Sequence, residues 1–261
     1  MLQIERYTGQ SVTRTYIKTN QTPFDDALQV EAQGLDWLRK HLPADKVSVP
    51  TVYEVSTSEM AMDRIQASGR WTEKLTEAFA EGLASMHREK QPYYGFEEDN
   101  YIGLNPQSNR RHDDWGSFFL YERLQAQVVM IADTARRNER YSLLEVAAER
   151  LVDYLNQHCA QPSLVHGDLW RGNCLCDDKT VWLIDPAVHF ADREVDIAMT
   201  EFFGGFPSTF VAAYNQCFAL SPEYPRKRDL YNLYHALNHY NLFGESYWSE
   251  CERGFRVIES L

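Results

Sequence analysis

The residues best suited to chemistry are those of Leu164-Val-His-Gly-Asp-Leu-Trp-Arg-Gly-Asn173, answered downstream by Ile184-Asp-Pro186. Asp168 is a carboxylate able to accept a proton, Asn173 offers a neutral oxygen, and Asp185 offers a charged one. His166, Asp168 and Asn173 reproduce the H-x-D-x-x-x-x-N spacing of a kinase catalytic loop. A hydroxyl attacking a γ-phosphate needs orientation, a proton acceptor and cations that offset charge on the transferred group. Asn173 and Asp185 are hard oxygen ligands suited to Mg²⁺ rather than zinc. The expectation is phosphoryl transfer from Mg²⁺-ATP, with Asp168 as base. His166 is expected to brace the loop through a backbone carbonyl rather than to move protons.

A kinase site also needs a lysine on the α/β-phosphates and a glutamate to hold that lysine. Lys18, near the end of a strand pattern, and Glu31, thirteen residues on in a helical pattern, come in that order. The interlobe hinge is expected at Met60-Ala-Met-Asp-Arg-Ile65, where backbone groups of Asp63, Arg64 and Ile65 would meet the adenine. That assignment rests on position. The apolar Val181-Trp-Leu-Ile184 strand would deliver Asp185 rigidly into the cleft.

Several elements must position these groups. Residues 2–8 and 12–19 alternate around Thr8-Gly9-Gln10 and read as a β-hairpin. From Pro23, Ala27, Val30, Gly34, Leu35 and Leu38 recur on one helical side. Two short strands follow at Val49–Val55 and Glu59–Asp63. From Trp71 the period becomes helical, with Leu75, Phe79, Leu83 and Met86 in register. The Asn-, Pro-, Gly- and Tyr-rich segment Gln91–Arg111 reads as a long structured loop. Helices are expected at Trp115–Arg137, Tyr141–His158, Arg193–Phe203, Ser208–Phe218, Lys227–Phe243 and Ser246–Ile258. Strands first and helices later give an α+β fold of two lobes, residues 1–65 and 66–261, with the nucleotide between them.

Composition narrows the partners. The 261 residues are 44% hydrophobic and 25% charged, with a net charge of −12. That balance argues against nucleic acid or an anionic membrane as the main partner. No apolar run approaches the roughly 18 residues of a membrane span, and Met1-Leu-Gln-Ile-Glu-Arg6, with no apolar core behind its charge, is not expected to be a signal peptide. The five cysteines form no C-x-x-C pair; Cys174 and Cys176 read as two buried strand thiols facing one way. A reduced cytoplasmic protein is expected, and the oligomeric state stays open.

His166-Gly-Asp-Leu-Trp-Arg-Gly-Asn173 and Ile184-Asp-Pro-Ala-Val-His-Phe-Ala-Asp-Arg-Glu-Val-Asp-Ile-Ala-Met199 resemble the fructosamine kinase (ketosamine-3-kinase) family. Asp99-Asn-Tyr-Ile-Gly103, Asp114-Trp115, Phe118-Phe119, Thr200-Glu-Phe-Phe-Gly-Gly-Phe206 and Asp229-Leu-Tyr-Asn-Leu-Tyr234 extend the match from about Thr15 to the C-terminus. His-Gly-Asp alone is shared with aminoglycoside phosphotransferases and choline kinases; Leu-Trp-x-Gly-Asn with Asp-Arg-Glu-Val-Asp is more selective.

The resemblance implies a protein-kinase-like fold and an ATP-dependent kinase. Its substrates would be ketosamines, sugar adducts of amines on proteins or small molecules. Bacterial-type relatives favour ribulosamines and erythrulosamines over fructosamines. Phosphorylation of the sugar 3-hydroxyl makes the adduct unstable, so the reaction is a deglycation repair. Carried over, Asp168 is the proton acceptor, Asn173 and Asp185 hold metal, Lys18 and Glu31 hold nucleotide, and Asp196 braces the catalytic loop. Trp170 is the aromatic that faces the sugar or its amine. An indole there can stack on a polyol and attract a cationic amine. Arg171 occupies a variable position and is expected to touch solvent. The family's extra strand and glycine-rich loop find no counterpart in Met1–Tyr7 or Gly9-Gln10, so the N-terminal lobe is expected to lack them. The competing expectations are a kinase for an aminoglycoside or other small alcohol, and a truncated, non-catalytic relative.

Overall fold

The computed structural model describes residues 15–67 and 69–261. The first strand and turn of the expected N-terminal hairpin, and the expected lack of a glycine-rich loop, lie outside these residues. The second strand is present as β1 (Thr15–Thr19). Its partner is β4 (Glu59–Asp63), antiparallel, with Lys18 opposite Met60 and Thr15 opposite Asp63. β3 (Val52–Val55) completes the order β1-β4-β3, with a register shift between Val52 and Glu54.

Helix α1 (Ala27–His41) begins four residues after Pro23, where the helical pattern was expected to start. It buries Leu28, Leu35 and Leu38; each fully buried leucine contributes about 1.5–3 kcal/mol. Gly34 lets α1 lie close to the Asp185 loop: a Cβ there would stand 3.1 Å from Pro186 Cγ. Trp37 adds edge contacts to Phe96 and Phe190, with ring centroids 5.2 and 5.8 Å apart. Between α1 and β3, β2 (Val47–Ser48) leaves its neighbours to pair in parallel with Val181 and Trp182.

Helix α2 (Glu73–Arg88) starts where Thr72 Oγ1 accepts a hydrogen bond from the Leu75 amide, an N-cap that satisfies one free donor. The expected loop Gln91–Arg111 instead contains a hairpin, β5 (Asn100–Ile102) and β6 (Asn105–Gln107), turned at Gly103 with φ +63°. Its amides read as loop composition because they are polar. In the fold Asn100, Asn105, Gln107 and Asn109 are buried and bond to one another, to packed backbone or, for Asn105, to the buried Asn238 side chain, which removes the cost of burying them.

The helical lobe follows. α3 (Trp115–Phe118) runs through a π-helical stretch, Phe119–Gln125, into α4 (Ala126–Val128). α5 (Thr134–Gln157) begins where the Asp133 carboxylate accepts from the Arg136 amide. The break therefore falls at 129–133, earlier than the boundary expected near 138–140, because an aspartate cap outcompetes a continuous helical pattern. β7 (Ser163–Val165) pairs with β10 (His189–Ala191), and β8 (Cys174–Cys176) with β9 (Val181–Leu183). Cys174 and Cys176 are both buried, as the alternation requires. α6 (Glu194–Phe202), α7 (Phe210–Cys217), α8 (Tyr224–Phe243) and α9 (Trp248–Glu259) close the lobe. One apolar core joins α1, the β1-β4-β3 sheet and α2; a second lies among α3, α5, α8 and α9. Among the described residues no helix is long and apolar enough to cross a membrane.

Candidate active site

The loop after β7 is held from below. Asp196, 1% exposed, accepts the His166 amide at 2.7 Å and the Gly167 amide at 2.9 Å. Gly167 adopts φ +81°, and a Cβ there would stand 2.1 Å from the Ala187 carbonyl oxygen; no other residue type fits this approach. His166 bonds the Ile184 carbonyl through Nε2 at 3.0 Å, and its Nδ1 receives the Asp168 amide at 3.2 Å. Burial holds its pKa below the usual histidine value. It is a neutral brace, with Nε2 carrying the proton, as the sequence suggested.

Asp196 is itself fixed by His87 Nε2 at 3.3 Å, while His87 Nδ1 meets Tyr214 Oη at 2.8 Å and Tyr214 Oη meets Arg193 Nη1 at 3.0 Å. Burial alone would raise the Asp196 carboxyl; hydrogen bonding and attraction from His87 and His166 lower it instead. His87 was not singled out from the sequence, since a histidine at the end of an amphipathic helix carries no signal of a partner 109 residues away.

Asp168 is half-buried, and Asn173 Nδ2 donates to its Oδ2 at 3.0 Å and to its carbonyl at 2.9 Å. Burial pushes the Asp168 carboxyl up to about 7 against the opposing Asn173 bond, with smaller upward contributions from Asp185 and Asp196. Such a value suits a general base near neutral pH. Asn173 is one of the residues lining the cleft, and its side-chain hydrogen bonds among the described residues all run through Nδ2. Asp185 follows β9 with φ +52° and an exposed carboxylate. Lys18 Nζ lies 2.7 Å from Asp185 Oδ1 and 2.7 Å from Glu31 Oε2. Burial would lower the Lys18 pKa, but the two carboxylates outweigh it and raise it. Lys18, Glu31, Asp168, Asn173 and Asp185 thus line one cleft of about 820 Å³.

Trp170 stands in the wall of the same cleft, 38% exposed, with an edge contact to Phe203 at 5.9 Å. It is not a core tryptophan. Gly172 makes its position possible: a Cβ there would lie 2.2 Å from Trp170 Cη2. The glycine's part was missed in the sequence because it lies in the fold-back of the loop. Arg171, expected in solvent, instead bonds the Cys174 carbonyl and lies 5.3 Å from the Trp71 ring. Asp63, Arg64 and Ile65 do not line this cleft. Asp63 ends β4, and its carboxylate accepts from the Thr51 amide at 2.8 Å and from Tyr53 Oη.

The donors around Asp185 are of the kind that hold a hard divalent cation. Asn173 Oδ1 and the exposed Asp185 carboxylate are oxygens, and Asp185 already attracts the Lys18 ammonium. Among the described residues no three His, Cys, Asp or Glu side chains converge as a metal cage. The donor set fits Mg²⁺, which keeps waters and phosphate oxygens beside one or two protein ligands.

The sequence model of the family described as "Fructosamine kinase" matches residues 3–259. A "Probable ketoamine kinase" of Vibrio vulnificus is 32% identical over 252 residues, covering 95% of this chain and 85% of that protein. The "Protein-ribulosamine 3-kinase, chloroplastic" of Oryza sativa subsp. indica is 31% identical over 244 residues, 90% of this chain and 70% of its own. A crystal structure from Haemophilus somnus bearing the fructosamine-3-kinase name superposes with a TM-score of 0.81 at 26% identity, covering 98% of this chain and 90% of that one. The fold is the α+β, two-lobed, protein-kinase-like one expected from the sequence.

Proposed function

From the premise that this chain belongs to the fructosamine kinase family, an ATP-using phosphotransferase family with hydroxyl acceptors, we propose that it phosphorylates the 3-hydroxyl of ketosamines. Ribulosamine, erythrulosamine and fructosamine adducts are the substrate class, and repair of glycated amines in the cytoplasm is the role. The observation that carries this reading is the Asp168 carboxylate: Oδ2 tied to Asn173, pKa pushed up to about 7, and Trp170 beside it in the cleft wall.

In this mechanism Asp168 Oδ1, the oxygen not held by Asn173, takes the proton from the sugar hydroxyl. Trp170 positions the sugar and its cationic nitrogen against its π-face. Asn173 Oδ1 and Asp185 would hold Mg²⁺, which when bound offsets charge on the transferred phosphoryl group. Lys18, kept in place by Glu31, contacts the α/β-phosphates. Residues 1–65 serve as the nucleotide lobe and 66–261 as the catalytic and substrate lobe. The backbone of Asp63, Arg64 and Ile65 meets the adenine. Lys18 opposes Met60 in the sheet, so Asp63 stands about 10 Å along β4, on the scale of the span from adenine to phosphates.

The test is a panel of acceptors with purified protein and Mg²⁺-ATP: a ribulosamine, an erythrulosamine, a fructosamine, an aminoglycoside and the free sugars. ADP release with the ketosamines, and phosphate located on O3 by NMR, supports the reading. Turnover of the aminoglycoside or free sugars with none of the ketosamines contradicts it, as does a folded protein that binds Mg²⁺-ATP and transfers to no acceptor.

A further inference from the structure

We propose that Tyr101 is a positioning residue: through the β5–β6 hairpin it clasps the first turn of α1 and holds Glu31 where it meets Lys18 and Asp185. At its base the hairpin is fastened to the loop that follows Asp185. Asn100 Nδ2 donates to the Val188 carbonyl at 2.8 Å, and Gln107 Nε2 donates to Asn100 Oδ1 at 2.7 Å and to the Ala187 carbonyl at 3.3 Å. At its other side Tyr101 reaches the opposite wall of the cleft. Its ring stacks on Phe24 with centroids 4.3 Å apart and planes 18° apart, and its hydroxyl donates to Asp26 Oδ1 at 2.5 Å.

Asp26 is the N-cap residue of α1, yet its side chain makes no cap hydrogen bond. A carboxylate at that position ordinarily accepts from a free amide of the first turn. Here it is turned outward to a residue 75 positions away. Glu31 lies five residues further along the same helix, so the attachment acts within about a turn and a half of the glutamate. Phe24 adds a second route: its carbonyl accepts Asn20 Nδ2 at 2.7 Å, and Asn20 closely follows Lys18 beyond the end of β1. One hairpin therefore touches the supports of all three members of the Glu31–Lys18–Asp185 cluster. In kinases that lysine–glutamate pair must be in place for turnover, and the position of its helix controls it.

The inference rests on the kinase reading only for its turnover measurement. The experiment compares wild type, Tyr101→Phe, Asp26→Ala and the double variant in the full chain. It reads kcat and KM with a ribulosamine, Mg²⁺-ADP affinity by calorimetry, Tm, and amide exchange across residues 27–34. Each single variant is expected to lose about tenfold in kcat, the scale of one tertiary hydrogen bond, with acceptor KM and Tm nearly unchanged. The double variant should be no worse than either single, since both remove the same bond. Amide exchange in the first turns of α1 should accelerate several-fold, and Mg²⁺-ADP should bind more weakly. A rise in acceptor KM with kcat intact would make Tyr101 a substrate contact and overturn the proposal. A kcat loss that merely follows a fall in Tm would make the clasp structural only, and unchanged α1 exchange would overturn it outright. Should wild type turn over no ketosamine, the kinase reading fails, while α1 exchange and Mg²⁺-ADP affinity still decide Tyr101.

Discussion

Lys18 and Asp185, 167 positions apart, meet with Nζ 2.7 Å from Oδ1. The same ammonium holds Glu31, so a β1 lysine, an α1 glutamate and the aspartate after β9 form one ionic cluster across the cleft. In this state the lysine neutralises an oxygen that the proposed mechanism assigns to Mg²⁺. Nucleotide and metal must therefore loosen the Lys18–Asp185 contact while Lys18–Glu31 persists.

Replacing Lys18 by Met should lower kcat/KM for Mg²⁺-ATP by about 10²–10³, the usual cost of losing a donor aimed at transition-state charge. Glu31→Gln should cost less, about tenfold, because the ammonium stays and only its orientation loosens. Steady-state kinetics at saturating acceptor reads both. Equal losses in the two variants would mean that Glu31 does more than hold Lys18.

Gly172→Ala should disturb Trp170 directly, since the new methyl would stand 2.2 Å from the indole. The expected outcome is a rise of about tenfold or more in acceptor KM, with Mg²⁺-ADP affinity unchanged and the Trp170 environment altered in ring NMR shifts. Trp170→Ala should give the same pattern. An acceptor KM unmoved by either change would remove Trp170 from the sugar site.

The cluster residues themselves were legible in the sequence because a spacing carries them: His166, Asp168 and Asn173 on one loop, Asp185 after an apolar strand, Lys18 and Glu31 in order before them. The neutral bracing role of His166 and the buried pair Cys174 and Cys176 also followed from local rules. What was not legible is nonlocal. Nothing local in Val47-Ser48 says that it pairs in parallel with β9 rather than within the β1-β4-β3 sheet. The β5–β6 hairpin hid in a polar segment because its amides are buried against partners far along the chain, Asn105 bonding Asn238 at 2.8 Å. Gly172 and His87 matter through what stands against them.

Acidification below about pH 6.5 should destabilise the protein through its buried histidines. Asp168 and Glu31 partly oppose this, because their carboxyls are both raised to about 7 and protonate first in the folded state. Burial holds His87, His166, His189 and His235 below the ordinary histidine pKa, His235 at about 3. The unfolded chain binds protons at these residues as pH falls below about 6.5, and the folded one does not. Their contribution to stability is therefore full above about 6.5 and lost as pH falls, by up to about 1.4 kcal/mol per pH unit for each histidine. Melting at pH 7 and pH 5 should show a clearly lower Tm at pH 5; an equal or higher Tm would contradict this.

In the nucleotide-free protein, the Asp168 carboxyl should titrate near 7 in carboxyl ¹³C NMR. Asn173→Ala removes a donor that favours the charged form, so the value should rise further. A titration near 4 in wild type would contradict the buried base.

The most direct measurement is phosphoryl transfer from Mg²⁺-ATP to a ribulosamine by wild type and Asp168→Asn side by side, with Mg²⁺-ADP affinity measured on both. The account predicts phosphate on O3 with wild type, a kcat lower by about 10²–10⁴ in the variant, and nucleotide affinities within about twofold of each other. Equal kcat in the two proteins would contradict it, because the proton of the sugar hydroxyl would then leave by a route that does not involve Asp168.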